Sequence, residues 1–234
     1  MFWTKSKILD SIFFKDFVDY HSHILPAVDD GMKSMEETLG TLHYYEQIGV
    51  KKVILTPHVN TQYNCNKILH FKQFDILLQR YKGTVELHLA AEYMLDAGFE
   101  KQITDGLRYV HGRRVLVETS YAAAPNNFHE LLYEIASIGD IPLIAHPERY
   151  VYMGKRDYAK LKDKGYEFQF NLLSLSGAYG NEVKRNAEYL LNNNMYDFVG
   201  TDIHSLSSFK ERIEAMRLTN KELNQIIHTK TNKR

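Results

Sequence analysis

Two histidines two residues apart, His21 and His23, close an apolar run, and the acidic pair Asp29-Asp30 and Gly31 follow. On an extended strand side chains alternate with period 2, so both imidazoles face the same way. Neutral imidazole nitrogens beside carboxylate oxygens are the donors of hydrolytic zinc, manganese or iron centres. One His-x-His pair is weak evidence, because isolated histidines are common at surfaces and in cores. The same residue types, however, recur after later apolar runs: Thr56-Pro57-His58, Ala90-Ala91-Glu92, Val117-Glu118, Ala145-His146-Pro147-Glu148-Arg149 and Thr201-Asp202-Ile203-His204. Singly, His58 or Glu118 reads equally well as a satisfied polar residue at a strand end. Together, nine positions that include five of the eleven histidines make a metal-ligand set the stronger reading. The nine are His21, His23, Asp30, His58, Glu92, Glu118, His146, Asp202 and His204.

Such a set needs elements that bring it to one place. Apolar, β-branched runs predict strands over Phe17–His21, Lys52–Thr56, Val85–Ala90, Arg114–Glu118, Pro142–Ala145, Glu167–Asn171 and Asp197–Gly200. Helix-period segments lie between them. Ser34 with Glu37 reads as a capping box, Met35, Leu39, Leu42 and Tyr45 as one apolar face, and Gly49 as the stop. Asn127 with Glu130 repeats the device ahead of Phe128, Leu131, Leu132 and Ile135, with Gly139 at the end. Alternating strand and helix implies a parallel sheet. Seven strands predict an irregular (β/α)7 TIM-like barrel, in which functional groups sit at the C-terminal strand ends. The nine positions occupy that rim.

Composition narrows the function classes. The 234 residues hold 29 Lys plus Arg and 29 Asp plus Glu, so no net charge advertises nucleic acid or an anionic membrane. The basic end Lys230–Arg234 reads as a frayed terminus. Apolar stretches near the N-terminus are broken by Asp10, Lys15 and Asp16, which argues against a signal peptide or a membrane span and for a cytoplasmic protein. Residues 1–16 read as an N-terminal extension, with Ile8, Ile12 and Phe13 on a short amphipathic helix, and residues 17–234 as one domain. Cys65 is the only cysteine, so no intrachain disulfide forms, which fits a reducing compartment. Position 71 is Phe rather than Arg, so Cys65 lacks the thiolate-phosphatase loop and is not a nucleophile. His43, His70, His88, His111, His129 and His228 read as surface or packing residues, and the 16 Tyr and 12 Phe mainly as core.

These motifs resemble the polymerase and histidinol phosphatase (PHP) superfamily. The resemblance is closer to its branch of manganese-dependent bacterial protein-tyrosine phosphatases of the CpsB/YwqE type, linked to capsule and exopolysaccharide synthesis. It rests on the run His21-Ser22-His23-Ile24-Leu25-Pro26 through Asp29-Asp30-Gly31-x-Lys33-Ser34-x-Glu36-Glu37, and on Ile144-Ala145-His146-Pro147-Glu148-Arg149-Tyr150. It covers roughly residues 17 to 220. The PHP fold is implied, with three divalent ions, manganese foremost and iron or zinc as alternatives. By this resemblance His21, His23, Glu92 and Asp202 hold one ion. Glu92, Glu118, His58 and His146 hold a second, and Asp30 and His204 complete the third. Arg149, Asp202 and His204 take catalytic roles.

Charge supports a phosphate substrate. Asp30, Glu92, Glu118 and Asp202 carry −4 against +6 from three divalent ions, and the net +2 suits a phosphomonoester dianion with hydroxide. A metal lowers the pKa of bound water to roughly 7, so the implied reaction is in-line attack by a metal-bridged hydroxide while Arg149 neutralises phosphoryl oxygens. The implied partner is a phosphotyrosine protein, the cytoplasmic tail of a bacterial tyrosine kinase. Tyr121 and Tyr150 are candidates to frame the aromatic group, and Asn171 to contact substrate or support a ligand. A histidinol-phosphatase-like enzyme is the alternative. A nucleic-acid-processing PHP domain is disfavoured by the neutral charge, and a non-catalytic partner of a kinase by the intact ligand set. Two features depart from the branch. Ser205–Phe209 lacks its arginine beyond the last Asp-x-His, leaving Lys210 or Arg212 as substitutes, and the oligomerisation motif is absent from residues 36–42, so no oligomeric state transfers.

Overall fold

The computed structural model describes residues 5–62 and 67–231, so Cys65 lies outside the described residues. The strands in chain order are β1 (Lys5–Lys7), β2 (Phe17–Ser22), β3 (Val50–Leu55), β4 (His58–Val59), β5 (Glu86–Leu89), β6 (Glu92–Met94), β7 (Arg114–Glu118), β8 (Ile141–Ala145), β9 (Glu167–Asn171), β10 (Phe198–Gly200) and β11 (Arg217–Thr219). The helices are α1 (Met35–Ile48), α2 (Lys67–Arg80), α3 (Phe99–Thr104), α4 (Phe128–Ser137), α5 (Lys155–Asp163), α6 (Asn181–Asn192), α7 (Leu206–Ala215) and α8 (Asn220–Thr231).

The fold is mixed α/β, built on a curled parallel sheet. All seven predicted strands form, but two of them are interrupted. β3 pairs with β5 in a three-stranded sheet ordered β2-β3-β5, while β4 pairs with β6 in a six-stranded sheet ordered β10-β9-β8-β7-β6-β4. Leu55 lies opposite Leu89 and His58 opposite Glu92, so the short strands keep the register of the pair below them. Pro57, which has no amide proton to donate, sits at the first break. At the open side β10 meets β2 through the bridge Ser22–Ile203 and two backbone bonds, Asp202 N–H to His21 O (2.8 Å) and His23 N–H to Ile203 O (3.0 Å). Gly200 permits this approach, since a Cβ there would lie inside contact distance of the His21 side chain.

Strands buried on both faces read as continuous apolar runs rather than alternating ones. Val115, Leu116 and Val117 on β7 and Leu143, Ile144 and Ala145 on β8 are all buried. The aromatic load is largely core: Phe17, Phe168, Phe170, Phe198, Tyr45, Tyr93 and Tyr158 are among the largest fully buried side chains. On α1, Ser34 Oγ accepts from Glu37 N–H, and Gly49 ends the helix in the left-handed region that a Cβ disfavours. The Glu37 carboxylate caps Lys33 N–H rather than that of Ser34.

Three local expectations are corrected. Asn127 makes no side-chain cap on α4, because its backbone is not in the extended conformation that turns a cap residue toward the helix. The described part of the extension, residues 5–16, is not an amphipathic helix. β1 pairs antiparallel with β11, a 3-10 turn follows, and Ile8 and Phe13 are buried in the main core while Ile12 is 69% exposed. Lys230 is not frayed: its ammonium donates to Phe13 O (2.6 Å) and Lys15 O, tying α8 to this segment.

A candidate metal centre at the strand ends

All nine expected positions converge at the C-terminal ends of the strands. Their donor atoms form four overlapping groups, each within 4.8 Å: His21, His23 and Glu92; His58, Glu92 and Glu118; His21, His146 and Asp202; His23, Asp30, His58 and His204. His21 and His23 leave the end of β2, His58 and Glu92 lie opposite each other on β4 and β6, and Glu118 ends β7. His146 and Asp202 follow β8 and β10 in the left-handed region, at φ 33° and 52°. Such strain in a non-glycine residue persists only where surrounding structure enforces it, and it concentrates at functional sites.

The imidazoles are aimed from behind. His21 Nδ1 lies 2.8 Å from Gln169 Oε1, and His23 Nδ1 2.9 Å from Asp29 Oδ2. Each acceptor assigns the proton to Nδ1, leaving Nε2 with a lone pair. Those two Nε2 atoms stand 3.0 Å apart, with Glu92 Oε2 at 3.2 Å from each and Asp202 Oδ1 at 3.4 and 3.3 Å. Four acceptors facing one point without hydrogen between them repel unless a cation fills the gap. Buried Glu92 Oε2, Glu118 Oε1 and His146 Nδ1 accept or donate no hydrogen bond among the described residues. The donor set therefore fits a cation, and without thiolate it is suited to manganese, iron or zinc alike.

Protonation shows the same demand. Burial alone depresses His21 and His23, but Glu92, Asp202 and Asp29 outweigh it and push both above the ordinary imidazole range. Burial and His23 lower His58, yet Glu92 and Glu118 carry it up to about 10. His146 is the exception: burial takes it down to about 4. Protons thus occupy the place of a cation.

Asp29, given no role in the ligand set from sequence, turns out to anchor the first loop. Besides His23 it accepts from Gly31 N–H and His58 N–H. Gly31 has no alternative residue, since a Cβ would collide with His23 O. Asp19 was likewise not singled out. It is buried and accepts from Thr201 N–H (2.8 Å), Thr201 Oγ (2.6 Å) and Tyr45 OH (2.8 Å), fastening β2 to the Asp202 loop. Its signal was an acid inside an apolar run. For Gln169 the signal was weaker: a polar side chain two residues before Asn171 on a buried strand.

Asn171 donates to Asp202 Oδ2 (2.9 Å), in keeping with a supporting role. Arg149 does not pair with Glu148. It donates to Asp202 Oδ2 (2.8 Å) and lies between the rings of Tyr121 and Tyr179, at 4.4 and 4.3 Å. Glu148 is instead a buried brace, bonded to Ser174, Tyr196 and Asn171 N–H, and burial lifts it to about 7. Above the nine residues opens a cleft of about 440 Å³ reached by Arg149, Tyr121, Tyr179 and Arg212. Tyr150 does not line it, being fully buried with its hydroxyl on Thr119 N–H. Lys210 does not either, since its ammonium sits over Tyr44, so Arg212 is the cation that α7 brings to the cleft. Of the remaining histidines, His70 is buried against Arg108 and the others are exposed.

Known proteins fit this picture. The chain is 30% identical over 206 residues to the tyrosine-protein phosphatase CpsB of Streptococcus pneumoniae, covering 82% of this chain and 84% of that protein. It is 28% identical over 199 residues to the tyrosine-protein phosphatase YwqE of Bacillus subtilis, covering 82% and 78%. A crystal structure from work on those two proteins, described as unique metal-dependent tyrosine phosphatases, shares the fold with a TM-score of 0.76 at 23% identity, over 92% of this chain and 87% of that one. The family model for capsular polysaccharide synthesis proteins CpsB/CapC matches residues 17–232. With its motifs, fold and match over nearly the whole length, the chain belongs to the CpsB/CapC family.

Proposed function

We propose that this protein is a metal-dependent phosphotyrosine-protein phosphatase of capsule or exopolysaccharide synthesis. The observation that carries the reading is the convergence of His21, His23, Glu92 and Asp202 on one point beside a guanidinium held by the same aspartate. The nine residues would hold three divalent ions, manganese foremost. The four groups favour His146 beside His21 and Asp202 rather than beside Glu118, and they enlist His23 and His58 with Asp30 and His204. Bound there, the ions would bring the pKa of a water to roughly 7 and so supply the nucleophile near neutral pH. We read the two sheets and their seam as one irregular (β/α)7 barrel, which explains why every ligand lies on one rim.

The chain's own groups do the rest. Asp202 divides its two oxygens, Oδ1 toward the imidazoles and Oδ2 toward Arg149 and Asn171, so the carboxylate that would help hold an ion also positions the guanidinium. Arg149, stiffened by two tyrosine rings, presents a planar fork to phosphoryl oxygens, and Arg212 approaches from α7. His204 Nδ1 is held by Asp202 O (2.9 Å), which turns Nε2 toward Asp30. Tyr121, 45% exposed, offers a ring face at the cleft mouth for an aromatic substrate. A phenolate leaving group, with a pKa of about 10, needs less proton help than an alkoxide. The cytoplasmic tail of a tyrosine kinase is the partner that fits this chemistry.

The test is hydrolysis of a phosphotyrosine peptide, lost with chelator and restored by Mn²⁺, in wild type and in His146→Ala. Full activity of the folded variant would overturn the mechanism, and a strong preference for histidinol phosphate would transfer the site to a small-molecule phosphatase.

A further inference from the structure

A second depression, of about 460 Å³, lies on the far side of Arg212 from the metal centre. It is bounded by the turn at Ser176–Ala178, by Lys184 on α6 and by the end of α7 with Met216 and Arg217. Arg212 lines both this groove and the catalytic cleft, so the two adjoin at its side chain. Three cations, Lys184, Arg212 and Arg217, face it against a single carboxylate, Glu211. In a chain whose basic and acidic residues balance, such local imbalance at the edge of a site stands out. The three cations make no ion pair among the described residues. Arg217 is held at the rim by the carbonyls of Glu214 and Met216, and Arg212 rests 5.7 Å from the Tyr179 ring centre. Arg149, by contrast, is already committed to Asp202. At the turn the groove is open, since a Cβ at Gly177 would meet nothing within 4 Å. That leaves room for an extended polypeptide.

We propose that this groove binds the segment of the substrate protein next to the phosphotyrosine and selects acidic residues on one flank of it. The proposal rests on the phosphotyrosine reading of the centre and adds the class of sequence it takes. Opposite charges in a solvent-exposed groove each contribute modestly, so the three cations together should raise affinity for an acidic flank roughly tenfold at low salt.

The experiment uses the whole Mn²⁺-loaded protein and four probes: phenyl phosphate, and phosphotyrosine peptides with glutamates on the N-terminal flank, glutamates on the C-terminal flank, or serines on both. Both kcat/KM and peptide affinity by fluorescence anisotropy are measured. One acidic peptide should exceed the serine peptide roughly tenfold in each. Lys184→Gln with Arg217→Gln, neither of which lines the catalytic cleft, should cut that advantage to about twofold, the share left to Arg212, and leave phenyl phosphate turnover unchanged. Equal gains from both acidic flanks would mark a diffuse field and overturn the groove, as would an advantage that stays roughly tenfold after the double substitution. If no probe is hydrolysed, the phosphatase reading fails, and the anisotropy comparison still decides the groove.

Discussion

Lowering the pH should strip ions from this centre far more steeply than from a site built of carboxylates alone. In the ion-free protein His21 and His23 face Glu92 and Asp202 at 3.2 to 3.4 Å, which pushes both imidazoles above their ordinary range although burial alone depresses them. His58, between Glu92 and Glu118, stands at about 10, whereas burial holds His146 at about 4. Near pH 7, then, His23 and His58 each carry a proton that a cation must expel, His21 is pushed in the same direction, and His146 carries none. Every expelled proton changes apparent affinity tenfold per pH unit, and His58 by itself imposes a handicap of about a thousandfold at pH 7. The group of His23, Asp30, His58 and His204 includes two such imidazoles, so its loading should rise about a hundredfold per unit between about pH 5.5 and 7.5. Calorimetric titration of chelator-stripped protein with MnCl₂, in buffers of different ionisation enthalpy, counts the protons. About two or more should leave on full loading, and His58→Gln should remove one of them. Release of less than one proton would refute the reasoning, since the imidazoles would then be neutral or outside the ligand set.

The same linkage acts on folding with opposite sign in the two forms. Because His58 rises from 6.5 to about 10 on folding, its contribution is fully present below pH 6.5 and is lost as pH climbs through 10. Melting temperatures of ion-free protein should fall over that window while those of loaded protein rise at its lower end. Asp29→Asn should weaken ion binding roughly ten- to hundredfold, because His23 loses the carboxylate that orients it; unchanged ion content after dialysis would contradict this. Gly31→Ala should destabilise the protein by about 1–3 kcal/mol or more in urea unfolding, as the Asp29–Asp30 loop is forced away from His23 O. Arg149→Lys should keep the ions yet lower kcat/KM on a phosphotyrosine peptide by roughly ten- to hundredfold, since a point charge cannot form the planar fork; a change in KM or kcat within twofold would remove Arg149 from the reaction.

Eight of the nine clustered residues were legible as a His, Asp or Glu at or just past the close of an apolar run, where a strand ends, and Asp30 as half of the acidic pair in the loop that follows. The supports were not legible. Asp19 and Gln169 look like polar interruptions of buried strands, and only their partners, 182 and 148 residues away, reveal that one clamps the seam and the other aims His21. For Arg149 a phosphate contact was the preferred reading over a pairing with its neighbour Glu148, and only the turn after β8 shows the arginine directed toward Asp202 and the glutamate into the core. The N-terminal segment misled for a related reason: Ile8 and Phe13 promised a helix, yet residues 5–7 pair with β11, more than two hundred residues on, and both side chains are buried in the main core.

Residue types and local periods thus determined by themselves the seven strands, the helix faces and the identity of the donors, since alternation, capping and ligand chemistry act over a few residues. Tertiary structure alone decided how the donors divide into groups, which nitrogen each imidazole presents, and that Arg212 rather than Lys210 enters the cleft. Those outcomes depend on distances of 3 to 5 Å between segments far apart in the chain, and such distances are set by how strands curl and close rather than by any local preference.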